Sequence, residues 1–150
     1  MSQSLSKVYL HLVFSTKGRM AFIQPEWENQ LHAYLVGIFS ALASPVVLIN
    51  GTPDHVHILF CQSKNHSLAK IAEEVKKSSS KWVKAQNYNS MFAWQGGYAA
   101  FSVSSSRVDA VRKYIVKQKE HHEKESFENE IAGFMTKYNV ENFEERYFFE

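Results

Sequence analysis

The chain has one cysteine, Cys61, so no disulfide can form within it. That agrees with a reducing compartment. Three prolines and six glycines are spread through 150 residues, and neither type gathers into a linker. The expectation is one domain over residues 1–150. No apolar run is long enough to cross a bilayer. The first six residues, MSQSLS, are polar and lack the apolar centre of a signal peptide. A cytoplasmic protein with no membrane partner is therefore expected. Strong charge of one sign is missing too: the net charge is only +2. Any binding to phosphates must come from local clusters of Lys and Arg, not from a global field. The remaining composition, 45% hydrophobic and 21% charged, is ordinary for a globular protein with its own core.

The order of elements is the first positive clue. Residues 8–15 (VYLHLVFS) alternate as a strand, with Val8, Leu10, Leu12 and Phe14 on one face and Tyr9, His11 and Val13 on the other. A loop with Lys17, Gly18 and Arg19 follows. Residues 25–43 read as a helix: Pro25 suits the first turn, Glu26 and Glu28 suit the positive end of the dipole, and Trp27, Leu31, Tyr34, Leu35, Ile38 and Leu42 recur at helical spacing. Residues 46–50 and 55–61 read as strands of a hairpin, with Gly51, Thr52, Pro53 and Asp54 as its turn. Residues 67–86 read as a second helix capped by Ser67, with Lys70, Lys76, Lys77, Lys81 and Lys84 on its polar side. A fourth strand is anchored by Phe101 and Val103 and begins near Gly97. A third helix, from Arg107 to about Lys124, and a fourth, residues 127–138, complete the chain before an aromatic, acidic end. Strand, helix, strand, strand, helix, strand is the ferredoxin-like pattern: an α+β fold with a four-stranded antiparallel sheet, two helices on one face and the C-terminal helices appended. The first and third strands are then central. The second face stays open unless the appended helices or a partner cover it.

His55 and His57 flank Val56 on the third strand, so both point to that second face, while Val56, Ile58 and Phe60 point to the helix-packed core. A His-x-His triplet is a weak signal alone. Its place on a strand whose alternate residues are all apolar makes it a candidate for holding a divalent cation between two neutral imidazoles. His11 would stand on the same face of the neighbouring strand, as a partner to the site or a contact to substrate. On the third helix, Val108, Val111, Tyr114, Ile115, Gln118 and His122 share a face. Gln118 interrupts that apolar stripe one turn after Tyr114, and a glutamine carbonyl can ligate magnesium or manganese. If Gln118 touches a metal, Tyr114 must lie close to whatever the metal binds. Lys113 and Lys117 sit beside them. His121 and His122 have no clear role.

Taken together, HLVFSTKGR (residues 11–19), PDHVHILF (53–60), FAWQGGYAAFSVS (92–104) and KYIVKQKEHH (113–122), in this order, resemble the insertion-sequence-200-like transposases. These are single-tyrosine members of the HUH superfamily, named for histidine–hydrophobic–histidine. The resemblance covers most of the chain. It implies that His55, His57 and Gln118 bind the metal and that Tyr114 is the nucleophile. It further implies cleavage and rejoining of single-stranded DNA with hairpin ends through a 5′-phosphotyrosine link. An obligate homodimer follows as well, each active site pairing the histidines of one subunit with the tyrosine helix of the other. His11, Lys17, Arg19, Lys113, Lys117 and Trp94 are candidate DNA contacts, and an open sheet face with Tyr9 beside Phe92, Trp94 and Tyr98 could offer stacking. Two readings compete: a ferredoxin-like module that binds nucleic acid without cutting it, and a metal-dependent phosphodiesterase that activates water.

Overall fold

The computed structural model describes residues 2–120 and 126–140. His121 and His122 lie outside the described residues, as does the aromatic end at 142–150, which the sequence suggests would pack on the body or on a partner. The elements run β1 (Tyr9–Ser15), α1 (Pro25–Ala41), β2 (Val46–Thr52), β3 (His55–Cys61), α2 (Leu68–Ala85), β4 (Ala99–Val103), α3 (Val108–Val116) and α4 (Phe127–Lys137). The sheet order is β2-β3-β1-β4, every pair antiparallel. The fold is thus the expected α+β arrangement, with β1 and β3 at its centre. No helix among the described residues is long and apolar enough to cross a membrane.

Period-two alternation sends Leu12, Phe14, Val56, Ile58 and Phe60 to one face of the sheet. There they meet Trp27, Leu31, Leu35 and Phe39 of α1 and Ile71, Val75 and Val83 of α2. The Ser67 hydroxyl accepts from the Lys70 amide and starts α2 as its sequence suggests. The other face is not open. Val13, Ala99 and Phe101 pack under Phe127 and Ile131 of α4, and Leu59 and Val103 pack under Ile115 of α3. Tyr9, expected as a stacking surface, is half-buried and packs in that second group. Phe92 and Trp94 also depart from expectation. Both rings are buried in the main core, and the Trp94 indole donates to Ser79 Oγ at 2.9 Å. Trp94 is therefore packing material, not a platform for bases.

Two boundaries differ for identifiable reasons. β2 runs through Gly51 and Thr52, which pair with Val56 and His55, so only Pro53 and Asp54 turn the hairpin. A Cβ on Gly51 would lie 2.3 Å from the His55 carbonyl oxygen, and only glycine permits that approach. The third helix does not continue to Lys124. It stops at Val116, Lys117 forms a turn, and helical backbone resumes at Gln118. Asn50 lies against this break: its Nδ2 donates to the carbonyls of Ile115 and Val116 at 3.0 and 3.1 Å.

Candidate active site

β3 presents His55 and His57 on the second face, both essentially inaccessible to solvent. The break at Lys117 turns Gln118 inward, where it is fully buried. α4 begins at Ser126, whose hydroxyl caps the Asn129 amide, and lays Phe127, Glu130, Ile131 and Phe134 toward the sheet. Glu130, absent from the sequence expectations, stands at the centre. Its Oε1 lies 3.0 Å from His57 Nε2 and 3.6 Å from His55 Nε2. Its Oε2 accepts from the Tyr114 hydroxyl and, at 3.1 Å, from Gln118 Nε2. The Tyr114 and His57 rings are 6.1 Å apart, nearly edge to face. The imidazole pair, the tyrosine and the glutamine thus converge within one chain.

The hydrogen-bond network sets the direction of each donor. Thr52 Oγ1 donates to Asp54 Oδ1 at 2.8 Å, and His55 Nδ1 lies 2.7 Å from the same carboxylate oxygen. His55 thus sets its Nδ1 against Asp54 and Thr52 and turns its Nε2 inward. The Gln118 amide, donating to Glu130, turns its Oε1 to within 3.3 Å of that Nε2. His55 Nε2, Gln118 Oε1 and Glu130 Oε1 then face one another across a small space. Single ligand atoms of His55, His57 and Glu130 lie within 4.8 Å of one another. This His-His-Glu group could bind a divalent metal, with the Gln118 oxygen beside it. The Asp54 carboxylate behind His55 is the usual support for a metal-binding imidazole.

Burial alone would raise the Glu130 carboxyl. The hydrogen bond and charge of His57, with hydrogen bonds from Tyr114 and Gln118, overcome this and bring it down to about 2. Glu130 is an anion throughout the neutral range. His11 is lowered to about 3, first by burial and then by His57, against an opposing pull from Glu130. It stays neutral, and its Nε2 sits 2.8 Å from His57 Nδ1. It stands behind His57, only 2% exposed, and lines a pocket beside Tyr114.

The other predicted contacts stay outside this centre. Lys17, Lys113 and Lys117 are exposed. Arg19 Nε pairs with Glu128 at 2.7 Å and ties the loop after β1 to α4. Lys119, unremarked in the sequence, holds Glu28 Oε1 at 2.7 Å, Asn50 Oδ1 at 3.2 Å and the Gly51 carbonyl at 3.2 Å, anchoring the Gln118 turn to α1 and β2. Glu130 did leave a trace in the sequence. It interrupts the stripe Phe127, Ile131, Phe134 of α4, just as Gln118 interrupts that of α3.

Fold and site define a class: antiparallel α+β proteins with a histidine pair on a central strand and a tyrosine helix laid across it. Residues 4–118 match the family described as Transposase IS200 like, and the chain belongs to that family. It is a DNA-processing enzyme of the transposase type. A candidate transposase from Deinococcus radiodurans superposes with a TM-score of 0.61 at 21% identity, covering 79% of this chain and 98% of its own. A REP-associated tyrosine transposase bound to a REP hairpin superposes at 0.60 and 12% identity, covering 81% of this chain and 74% of its own. At these identities the likeness speaks for the fold. No curated sequence matches the chain.

Proposed function

We propose that this transposase cuts and rejoins single-stranded DNA through a 5′-phosphotyrosine intermediate on Tyr114, beside a divalent cation, magnesium or manganese, held by His55, His57, Gln118 and Glu130. The observation that carries the reading is the meeting of the Tyr114 hydroxyl, Gln118 and the two imidazoles around one carboxylate. When bound, the cation polarises the scissile phosphate and offsets charge developing on its oxygens. Tyr114 Oη attacks phosphorus, the bond to the 3′-oxygen breaks, and that oxygen leaves as a hydroxyl after taking a proton from water. Glu130 Oε2 accepts the hydrogen bond of the phenol. A carboxyl at about 2 is a weak base, so it orients the phenol first and receives the proton only as the new bond forms. The covalent link conserves the bond energy, and a 3′-hydroxyl can reverse the step to join new ends.

Hairpin-ended single strands are the proposed substrate, in line with the REP hairpin of the structural neighbour. Lys70, Lys77, Lys81 and Lys84 remain exposed along α2, whereas Lys76 is turned to the Gly97 carbonyl at 2.9 Å. With Lys17, Lys113 and Lys117 they supply phosphate contacts. A homodimer, which the resemblance implies, would present two sites to one DNA, each drawn here from a single chain.

The test is covalent capture of a labelled single-stranded end oligonucleotide. Tyr114→Phe abolishes the adduct, and His57→Ala abolishes it together with the metal requirement. An adduct that persists in Tyr114→Phe, or cleavage by the native chain without any adduct, rejects the tyrosine route in favour of activated water. Duplex DNA cut as readily as single strands rejects the substrate.

A further inference from the structure

We propose that a pocket beside Tyr114, walled by α3 and α4, holds one unpaired nucleobase next to the scissile phosphate. This rests on the single-strand cleavage reading above. The cavity measures about 250 Å³, and Arg107, Ala110, Tyr114, Phe134, Lys137 and Tyr138 line it. Pockets for drug-sized ligands span roughly 300–1,000 Å³; this one is sized for a single planar ring system. Its aromatic walls are held in place. The Phe134 ring lies edge-on to Tyr114 with centroids 5.7 Å apart, and Tyr138 stacks on Phe101 at 4.8 Å. Rings fixed in this way lose little freedom when a base stacks on them. The rim is cationic: Arg107 and Lys137 are exposed, and neither has an ion-pair partner among the described residues.

Aromatic walls under a cationic rim match a nucleotide of single-stranded DNA, whose base stacks while its phosphates meet the cations. The position fits as well. Tyr114 is only half-buried, while His55, His57 and Gln118 are closed off, so a strand approaching the phenol passes this opening. Phe134, Lys137 and Tyr138 lie outside the residues 4–118 that match the family, so the subsite depends on the appended helix.

Abasic scanning tests the proposal. Oligonucleotides carry one abasic nucleotide at successive positions on either side of the scissile phosphate. Adduct formation and binding by fluorescence anisotropy are measured with the native chain, with Ala110→Phe, which fills the pocket from an exposed helix position, and with Lys137→Glu. In the native chain, one flanking position loses tenfold or more when its base is removed. In Ala110→Phe the intact strand has already lost that factor and removal of the same base changes less than twofold. Lys137→Glu weakens every strand severalfold. Cleavage by Ala110→Phe at the native rate, with unchanged base dependence, overturns the subsite and leaves the tyrosine mechanism standing. Tight binding without cleavage, still sensitive to that one base and to Ala110→Phe, upholds the subsite and overturns the cleavage reading. Absence of both binding and cleavage overturns both.

Discussion

The two faces of the sheet are made by the same strands and do opposite work. Under α1 and α2, alternate residues of β1 and β3 are aliphatic or aromatic and form a dry core. Under α3 and α4, the intervening residues include His11, His55 and His57, met by Gln118, Glu130 and Tyr114. The first face yields stability through area removed from water. The second spends some of that gain on buried polar groups that persist because each has a partner. Alternation along a strand separates the two faces, so substitutions on opposite faces should read out different properties.

The sharpest contrast pairs Phe60 with His57 on the other face. Phe60→Ala should cost about 3–5 kcal/mol of stability in urea titration, and change DNA cleavage only through the folded fraction. His57→Asn should cost less stability, roughly 1–2 kcal/mol, yet lower the metal-dependent rate at least about a hundredfold. Equal losses of stability and chemistry in both variants would erase the distinction between the faces.

Acid should attack the polar face first. His11 has a folded value of about 3 against an ordinary 6.5. Below pH 6.5 the unfolded chain takes up a proton that the folded chain refuses, so stability falls as pH drops from 6.5 toward 3. The slope is about 1.4 kcal/mol per pH unit for one such proton. Glu130, at about 2 against 4.5, adds a loss in the same direction between pH 4.5 and 2. His32, also lowered by burial, adds a loss in the same direction. With a chelator present, His11→Gln should therefore remove about one proton's worth of slope between pH 6.5 and 4. An unchanged slope would deny His11 its buried, neutral state.

The smallest expected effect concerns the break that aims Gln118. Asn50→Ala should cost about 1 kcal/mol and slow adduct formation severalfold, because the carbonyls of Ile115 and Val116 lose their donor and the turn at Lys117 loosens. A variant with weakened stability and an unaltered rate would make Asn50 a structural cap only.

Much of this division was legible in the sequence, because it is written in local periodicity. Strand alternation placed His55, His57 and His11 on one face, and element order gave the sheet topology. Tyr114 and Gln118 stood out through motif order. What escaped was long-range. The side-chain donor at the end of α3 is Asn50, far away in the chain, so nothing near Lys117 announced the stop. Gly51 and Thr52 carry turn chemistry but are recruited into the ladder by β3. Trp94 belongs to an aromatic segment that reads as a stacking surface, and only the packing of α2 against β1 shows that it is enclosed. Glu130 was detectable as a carboxylate within an apolar helical stripe, but its target could not be named until α4 was seen to roof the histidines.

A complementation assay can ask whether the site belongs to one chain. His57→Ala and Tyr114→Phe chains, each inactive, are mixed and supplied with the end oligonucleotide. A site assembled within one chain leaves the mixture inactive, whereas restored cleavage would mean that subunits exchange the tyrosine helix. The central claim, that Tyr114 acts at the cation site, is tested most directly by mass spectrometry of the trapped protein–DNA adduct, formed with manganese and with a chelator. The account predicts a single nucleotide-bearing peptide modified on Tyr114, present with manganese and absent with the chelator. Modification of another residue, or equal adduct without the metal, would contradict it.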